Sequence, residues 1–98
     1  MRAIDALDRA AHATPETPFV VQGDVAVSYA RAVAITHRIA ARIQAMGVAP
    51  GTRVAFLSPN DWRGLLFMYG VWRAGGVLVP VELAEVPNGK KGGGREQA

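Results

Sequence analysis

The chain has 98 residues, half of them hydrophobic, with a formal net charge of +3 and no cysteine. That length bounds it to one domain at most, burying about 60–65% of its unfolded surface. The missing cysteines exclude disulfides, thiolate catalysis and sulfur-ligated metals. They agree with a cytoplasmic location, as does an N-terminus with acids and no signal-peptide core.

Residues 1–12 place Ile4, Leu7 and Ala11 on one side and Asp5 and Asp8 among them, the spacing of a short amphipathic helix. Thr14-Pro15 and Thr17-Pro18 end it. Residues 19–21 and 25–27 are β-rich runs around Gly23-Asp24 and predict a hairpin or strand pair. Ser28 is positioned to cap a helix over residues 29–46. Ile35, Ile39, Ile43 and Met46 are expected to form its packed face, with Arg31, Arg38 and Arg42 in a stripe beside them. Gly47 stops this helix and Pro50-Gly51 turns the chain.

The apolar runs 54–57 and 77–79 read as parallel strands covered on both faces. A helix over residues 61–74, capped by Asn60 or Ser58, joins them in a βαβ unit, for which a right-handed crossover is expected. Gly64 and Gly70 inside it each cost about 1 kcal/mol relative to alanine, which points to a close backbone neighbour. Trp62, Phe67, Tyr69 and Trp72 wrap that helix among aliphatics, a pattern of core packing and not of a base-stacking platform. The stretch 64–81 carries Arg73 as its sole charge. A membrane span needs about 20 apolar residues, and an arginine near its centre costs about 2.5–3.5 kcal/mol, so a span is rejected.

Five segments in order carry a family resemblance: Pro18 to Val27, Ser28-Tyr29, Gly47-Val48-Ala49-Pro50-Gly51-Thr52-Arg53-Val54-Ala55, Ser58-Pro59-Asn60, and Arg73-Ala74-Gly75-Gly76-Val77-Leu78-Val79-Pro80. Together they resemble the N-terminal segment of the AMP-forming acyl-CoA synthetases, the adenylate-forming (AMP-dependent synthetase and ligase) family. The resemblance implies an α/β fold class: an N-terminal fragment of an adenylate-forming enzyme, with a short hairpin plus helix followed by a βαβ unit of parallel strands. It divides the chain into a partial N-terminal subdomain, residues 1–81, and a divergent Gly/Lys-rich flexible tail, residues 82–98. Thr52 departs from the family pattern, which often has an acid there.

The reaction implied is ATP-dependent adenylation of a carboxylate followed by thioester formation, as in fatty-acid metabolism. The family's phosphate loop, magnesium motif, ribose-binding aspartate and catalytic lysine have no counterparts in these 98 residues. No catalytic, cofactor-binding or metal-binding residue is therefore assigned. ATP, magnesium and coenzyme A belong to the parent enzyme, and the chain is expected to be a truncated piece, inactive alone. Ser28, Tyr29, Pro50, Gly51, Arg53, Val54, Asn60, Gly75 and Pro80 are read as capping, turning, packing or strand-ending residues. Open strand edges make the isolated chain marginally stable, and ready to self-associate or to dock the remainder of the synthetase.

Other chemistry is weighed and set aside. His12 and His37 lack a second ligand at metal-binding spacing. Ser28 and Ser58 lack a nucleophile elbow, and Asp5 and Asp8 read as a solvated first turn suited to the helix dipole. Residues 87–98 hold both lysines and a net charge of +2, against +1 for residues 1–86. Within them Gly89-Lys90-Lys91-Gly92-Gly93-Gly94-Arg95 lacks the strand, the Gly-Lys-Ser/Thr ending and the helix of a P-loop, and reads as a tail. The alternative function is a small non-catalytic interaction module that docks through the arginine stripe or basic tail. Salt-sensitive nucleic-acid binding by the tail ranks last.

Overall fold

The computed structural model describes residues 2–57 and 61–81. Seven elements follow in order: α1 (Ala3–Ala13), β1 (Pro18–Gln22), β2 (Val25–Ser28), α2 (Tyr29–Ala45), β3 (Arg53–Leu57), α3 (Trp62–Arg73) and β4 (Val77–Val81). β1 and β2 form an antiparallel hairpin, and β3 and β4 a parallel pair with Arg53 opposite Val77 and Leu57 opposite Val81. The expected order of elements and the hairpin–helix–βαβ architecture are both present. The expectations for residues 82–98 and for Ser58-Pro59-Asn60 lie outside the described residues.

The hairpin turns at Gly23, whose φ of 57° is the left-handed value that a two-residue turn needs. A register shift between Pro18 and Val20 marks a bulge at Phe19. Its ring meets Tyr29 and Tyr69 edge-on at 5.4 Å each, and Tyr69 meets Trp72 at 5.1 Å. Phe19, Tyr29 and Tyr69 pack on one core cluster, built on Ile4, Leu7, Val27, Ala32 and Leu66. A second cluster gathers Ala40, Ile43, Val71 and Ala74 with Val48, Val54 and Leu78. Ile39 packs against both.

Three expectations need correction. The buried seam of α2 is Ala32, Thr36, Ala40 and Ile43, while Met46 is 82% exposed. Ile43 lies in this seam and Ile35 and Ile39 pack beside it, so of the expected face only Met46 stays out of the core. The strands β3 and β4 are covered on one face: Val54, Phe56 and Leu78 turn inward, whereas Arg53, Ala55 and Leu57 face out with Val77 and Val79. α3 supplies the inner cover, with Phe67 stacked on Phe56 at 5.4 Å. Pro80 does not end β4, which continues to Val81, since proline is tolerated on an edge strand.

The turn before β3 is closed by Thr52, whose hydroxyl accepts from the Ala49 N–H at 2.9 Å. Threonine thus supplies the acceptor that closes the turn. The loop after α3 then locks onto this turn: Gly51 N–H donates to Gly75 O at 2.8 Å and Val77 N–H to Thr52 O at 2.7 Å.

Gly70 is where α2 and α3 come closest. A Cβ built there would lie 2.7 Å from Ile39 Cβ, so the close neighbour is a side chain and not a backbone. We expect Gly70→Ala to destabilise the chain by about 1–3 kcal/mol through overpacking, despite alanine's better helix propensity. Urea unfolding of Gly70→Ala, Ile39→Ala and the double variant checks this, because the glycine change should cost less in the Ile39→Ala background than in the parent. The same cost of Gly70→Ala in both backgrounds would contradict the close approach.

Candidate functional site

Helix starts are the first places to look for a phosphate site, because their free N–H groups attract anions. Ser28 Oγ accepts from the Arg31 N–H at 3.1 Å, the expected cap of α2. α3 is capped by Asp61 and not by Ser58 or Asn60: Asp61 Oδ1 accepts from the N–H groups of Arg63 at 3.0 Å and Gly64 at 3.1 Å. Those bonds, the Gly64 one foremost, followed by the Arg63 guanidinium, hold the Asp61 carboxyl below its ordinary range. A carboxylate in this position repels the phosphate that an open helix start would attract. The Trp62 N–H, next in line, donates to Gln22 Oε1 at 2.8 Å.

α1 opens with a reciprocal arrangement in which Arg2 bonds the Asp5 carboxylate, Nη2 to Oδ1 at 3.2 Å. The Arg2 side chain is the main cause of a lowered Asp5 carboxyl, and Asp5 in turn raises the Arg2 guanidinium. Asp5 therefore belongs to the helix start, as expected of a first-turn acid.

Asp8 does not share that role. Its carboxylate takes both ends of the Arg73 guanidinium, Nη1 to Oδ2 at 3.1 Å and Nη2 to Oδ1 at 2.5 Å. Arg73 Nε donates to Thr36 Oγ1 at 3.1 Å, and Thr36 Oγ1 donates to Val33 O at 2.8 Å. Thr36 is fully buried and the Arg73 side chain is 12% exposed, against 43% for Asp8. One guanidinium thus ties α1, α2 and α3 together. Sequence reading missed it because the partners are 65 residues apart. The available signal was Asp8 beside Leu7 on the apolar side of α1.

His12 and His37 are exposed, and no group of three or more metal-ligating side chains occurs among the described residues. The aromatics of α3 are part-buried and packed, as expected, with Trp62 and Tyr69 against the first core cluster. A hydroxyl and a carboxylate thus occupy the starts of α2 and α3. No helix among the described residues is long and apolar enough to cross a membrane.

Arg31, Arg38 and Arg42 are exposed on α2, as expected of a wetted stripe. Beside Arg38 and Arg42 runs an open groove of about 430 Å³, floored by Ile35, Ile39, Ile43 and Met46 of α2 and walled by Phe67 of α3. Two smaller clefts flank α1, one of about 290 Å³ against Trp72 and Gly75 and one of about 220 Å³ against Phe19, Tyr29 and Tyr69.

Comparison with known proteins matches residues 7–87 to the AMP-binding enzyme family. A feruloyl-CoA synthase of an Amycolatopsis species is 37% identical over 73 residues, 74% of this chain and 15% of the relative. The N-terminal domain of FACL13 from Mycobacterium tuberculosis superimposes with a TM-score of 0.73 at 34% identity, covering 83% of this chain and 21% of that one. The N-terminal subdomain of NpsA from Klebsiella oxytoca gives 0.76 at 21% identity, over 82% and 21% of the two chains, which speaks to the fold alone. The chain thus spans about a fifth or less of the length of these proteins.

Replacing Arg73 by alanine leaves Thr36 and Asp8 without their partner and should cost about 1–3 kcal/mol, the lower part of the range reflecting the exposure of Asp8. A double-mutant cycle with Asp8→Ala, followed by urea unfolding, should return a coupling of about 1 kcal/mol. A coupling near zero would mean that the node does not hold the helices. Asp5 and Asp61 have folded values below their unfolded ones, so their contribution is complete above the unfolded value of about 4 and is lost as pH falls through the folded values. The urea midpoint should therefore decline below about pH 4, and less so in Asp5→Asn/Asp61→Asn. An identical acid decline in that variant would reject this assignment.

Proposed function

Because this chain belongs to the AMP-binding enzyme family, we propose that it is the N-terminal structural part of an AMP-forming acyl-CoA synthetase or ligase. Its role is to supply a helical layer and two parallel strands on which the remaining polypeptide is built. The parent reaction joins a carboxylate to the AMP portion of ATP with loss of pyrophosphate, then transfers the acyl group to coenzyme A. ATP, magnesium and coenzyme A are held by residues beyond this segment, and the chain by itself carries out neither step. A place in fatty-acid metabolism and a cytoplasmic location belong to the same reading.

The observation that carries it is the uncovered side of β3–β4. Leu57 is 49% exposed, Val77 47% and Val79 38%, in a chain covering only 15–21% of its relatives. Among the described residues each of these strands has one neighbour, which leaves its other edge unpaired there. Apolar side chains and free edges on one sheet are the features that another part of a fold, or a second copy, covers by strand addition.

Purified chain is expected to show no carboxylate-dependent exchange of pyrophosphate into ATP. Exchange should appear on mixing with the downstream polypeptide of the Amycolatopsis feruloyl-CoA synthase, begun just after its matched segment. Robust exchange by the chain alone would overturn the reading.

A further inference from the structure

The groove beside α2 is formed by the helical layer, and its α3 wall, Phe67, stacks on Phe56 of the covered side of β3. Its floor is apolar and largely open at one end: Ile43 is 9% exposed and Met46 82%. From Ile35 to Met46 it follows α2 for about 16 Å, or three helical turns. Arg38 and Arg42 border it, and α2 has no acidic residue along its whole length. Arg2, Arg63 and Arg73 each hold a carboxylate, whereas Arg31, Arg38 and Arg42 have no such partner among the described residues.

Resting on the function proposed above, we infer that this groove receives an acidic amphipathic helix from the downstream polypeptide of the enzyme. Apolar residues of that helix at four-residue spacing lie on Ile39, Ile43, Met46 and Phe67, and its carboxylates meet Arg38 and Arg42. A linear groove three turns long suits one helix laid along another. A nucleic acid would leave the apolar floor unused, and a flat lipid surface does not enter a recess between two helices. A second copy would bring the same cationic helix against this one, and like charges oppose that pairing.

The test uses the full 98-residue chain mixed with the downstream polypeptide of the Amycolatopsis feruloyl-CoA synthase. Oxidation of Met46 by dilute peroxide is followed by mass spectrometry, alongside pyrophosphate exchange. The expected result is restored exchange with Met46 oxidising several-fold more slowly than in the free chain. Arg38→Glu/Arg42→Glu should raise the downstream concentration for half-maximal exchange about tenfold, while Arg38→Lys/Arg42→Lys should shift it little. Circular dichroism confirms that the variants are folded; if the glutamates unfold α2, Arg38→Gln/Arg42→Gln takes their place.

Restored exchange with Met46 oxidised at the free-chain rate would overturn the inference and leave the functional reading intact. So would protection of Met46 that is indifferent to both charge-removing pairs, or protection by self-association of the free chain in sedimentation. If mixing restores no exchange, the functional reading fails and the inference fails with it.

Discussion

The helical layer depends on one guanidinium. Arg73, at the last residue of α3, reaches Asp8 on α1 and Thr36 in the middle of α2. Arginine suits this position because its planar fork offers several donors in fixed directions and keeps its charge at any physiological pH. Burial at 12% exposure would penalise an isolated cation heavily, so the arrangement holds only where all three helices bring their acceptors together. The same residue ends α3. Its placement therefore sets where the chain turns at Gly75, packs on Pro50 and enters β4.

Around this node, small residues do the work that bulk does elsewhere. Ala32, Thr36 and Ala40 make a low ridge on α2, and Gly70 makes a notch on α3 into which Ile39 fits. Close approach of the helices lets a threonine hydroxyl reach Arg73. The outer surfaces of Ile35, Ile39, Ile43 and Met46 then line the groove beside Arg38 and Arg42. The packing that stabilises the layer and the surface it leaves exposed thus have one origin.

The sheet is built on a different balance. One side of β3–β4 is sealed by α3 through Val71, Phe67 and their partners, and the other presents Leu57, Val77 and Val79 to solvent. A small chain buries a limited fraction of its apolar surface, and a two-stranded parallel sheet with one bare face is far from the usual condition of parallel strands, which are covered on both. Together with the short span of its relatives that the chain covers, this asymmetry supports the scaffold role proposed above. Several polar side chains serve the fold itself: Asp5, Ser28 and Asp61 at helix starts, and Asp8 and Thr36 on Arg73.

Local chemistry made much of this legible from residues alone. Ser28 before an apolar-periodic run, Gly47 after it and Pro50-Gly51 before a β-rich run placed α2 and β3 within a residue or two, because caps and turns are made by neighbours in the chain. The ordered segments from Pro18 to Pro80 were enough for the family. The cap of α3 went to Asp61 because an adjacent carboxylate receives two N–H groups and carries charge, a competition among Ser58, Asn60 and Asp61 that spacing does not settle. Which face of α2 packs, which side of β3–β4 stays bare, and where Asp8 finds its partner were decided only by the tertiary structure. Periodicity says that a helix has an apolar side; only the approach of a second helix, governed by Gly70 and the alanines, selects the seam, and only folding brings residues 8, 36 and 73 within hydrogen-bonding distance.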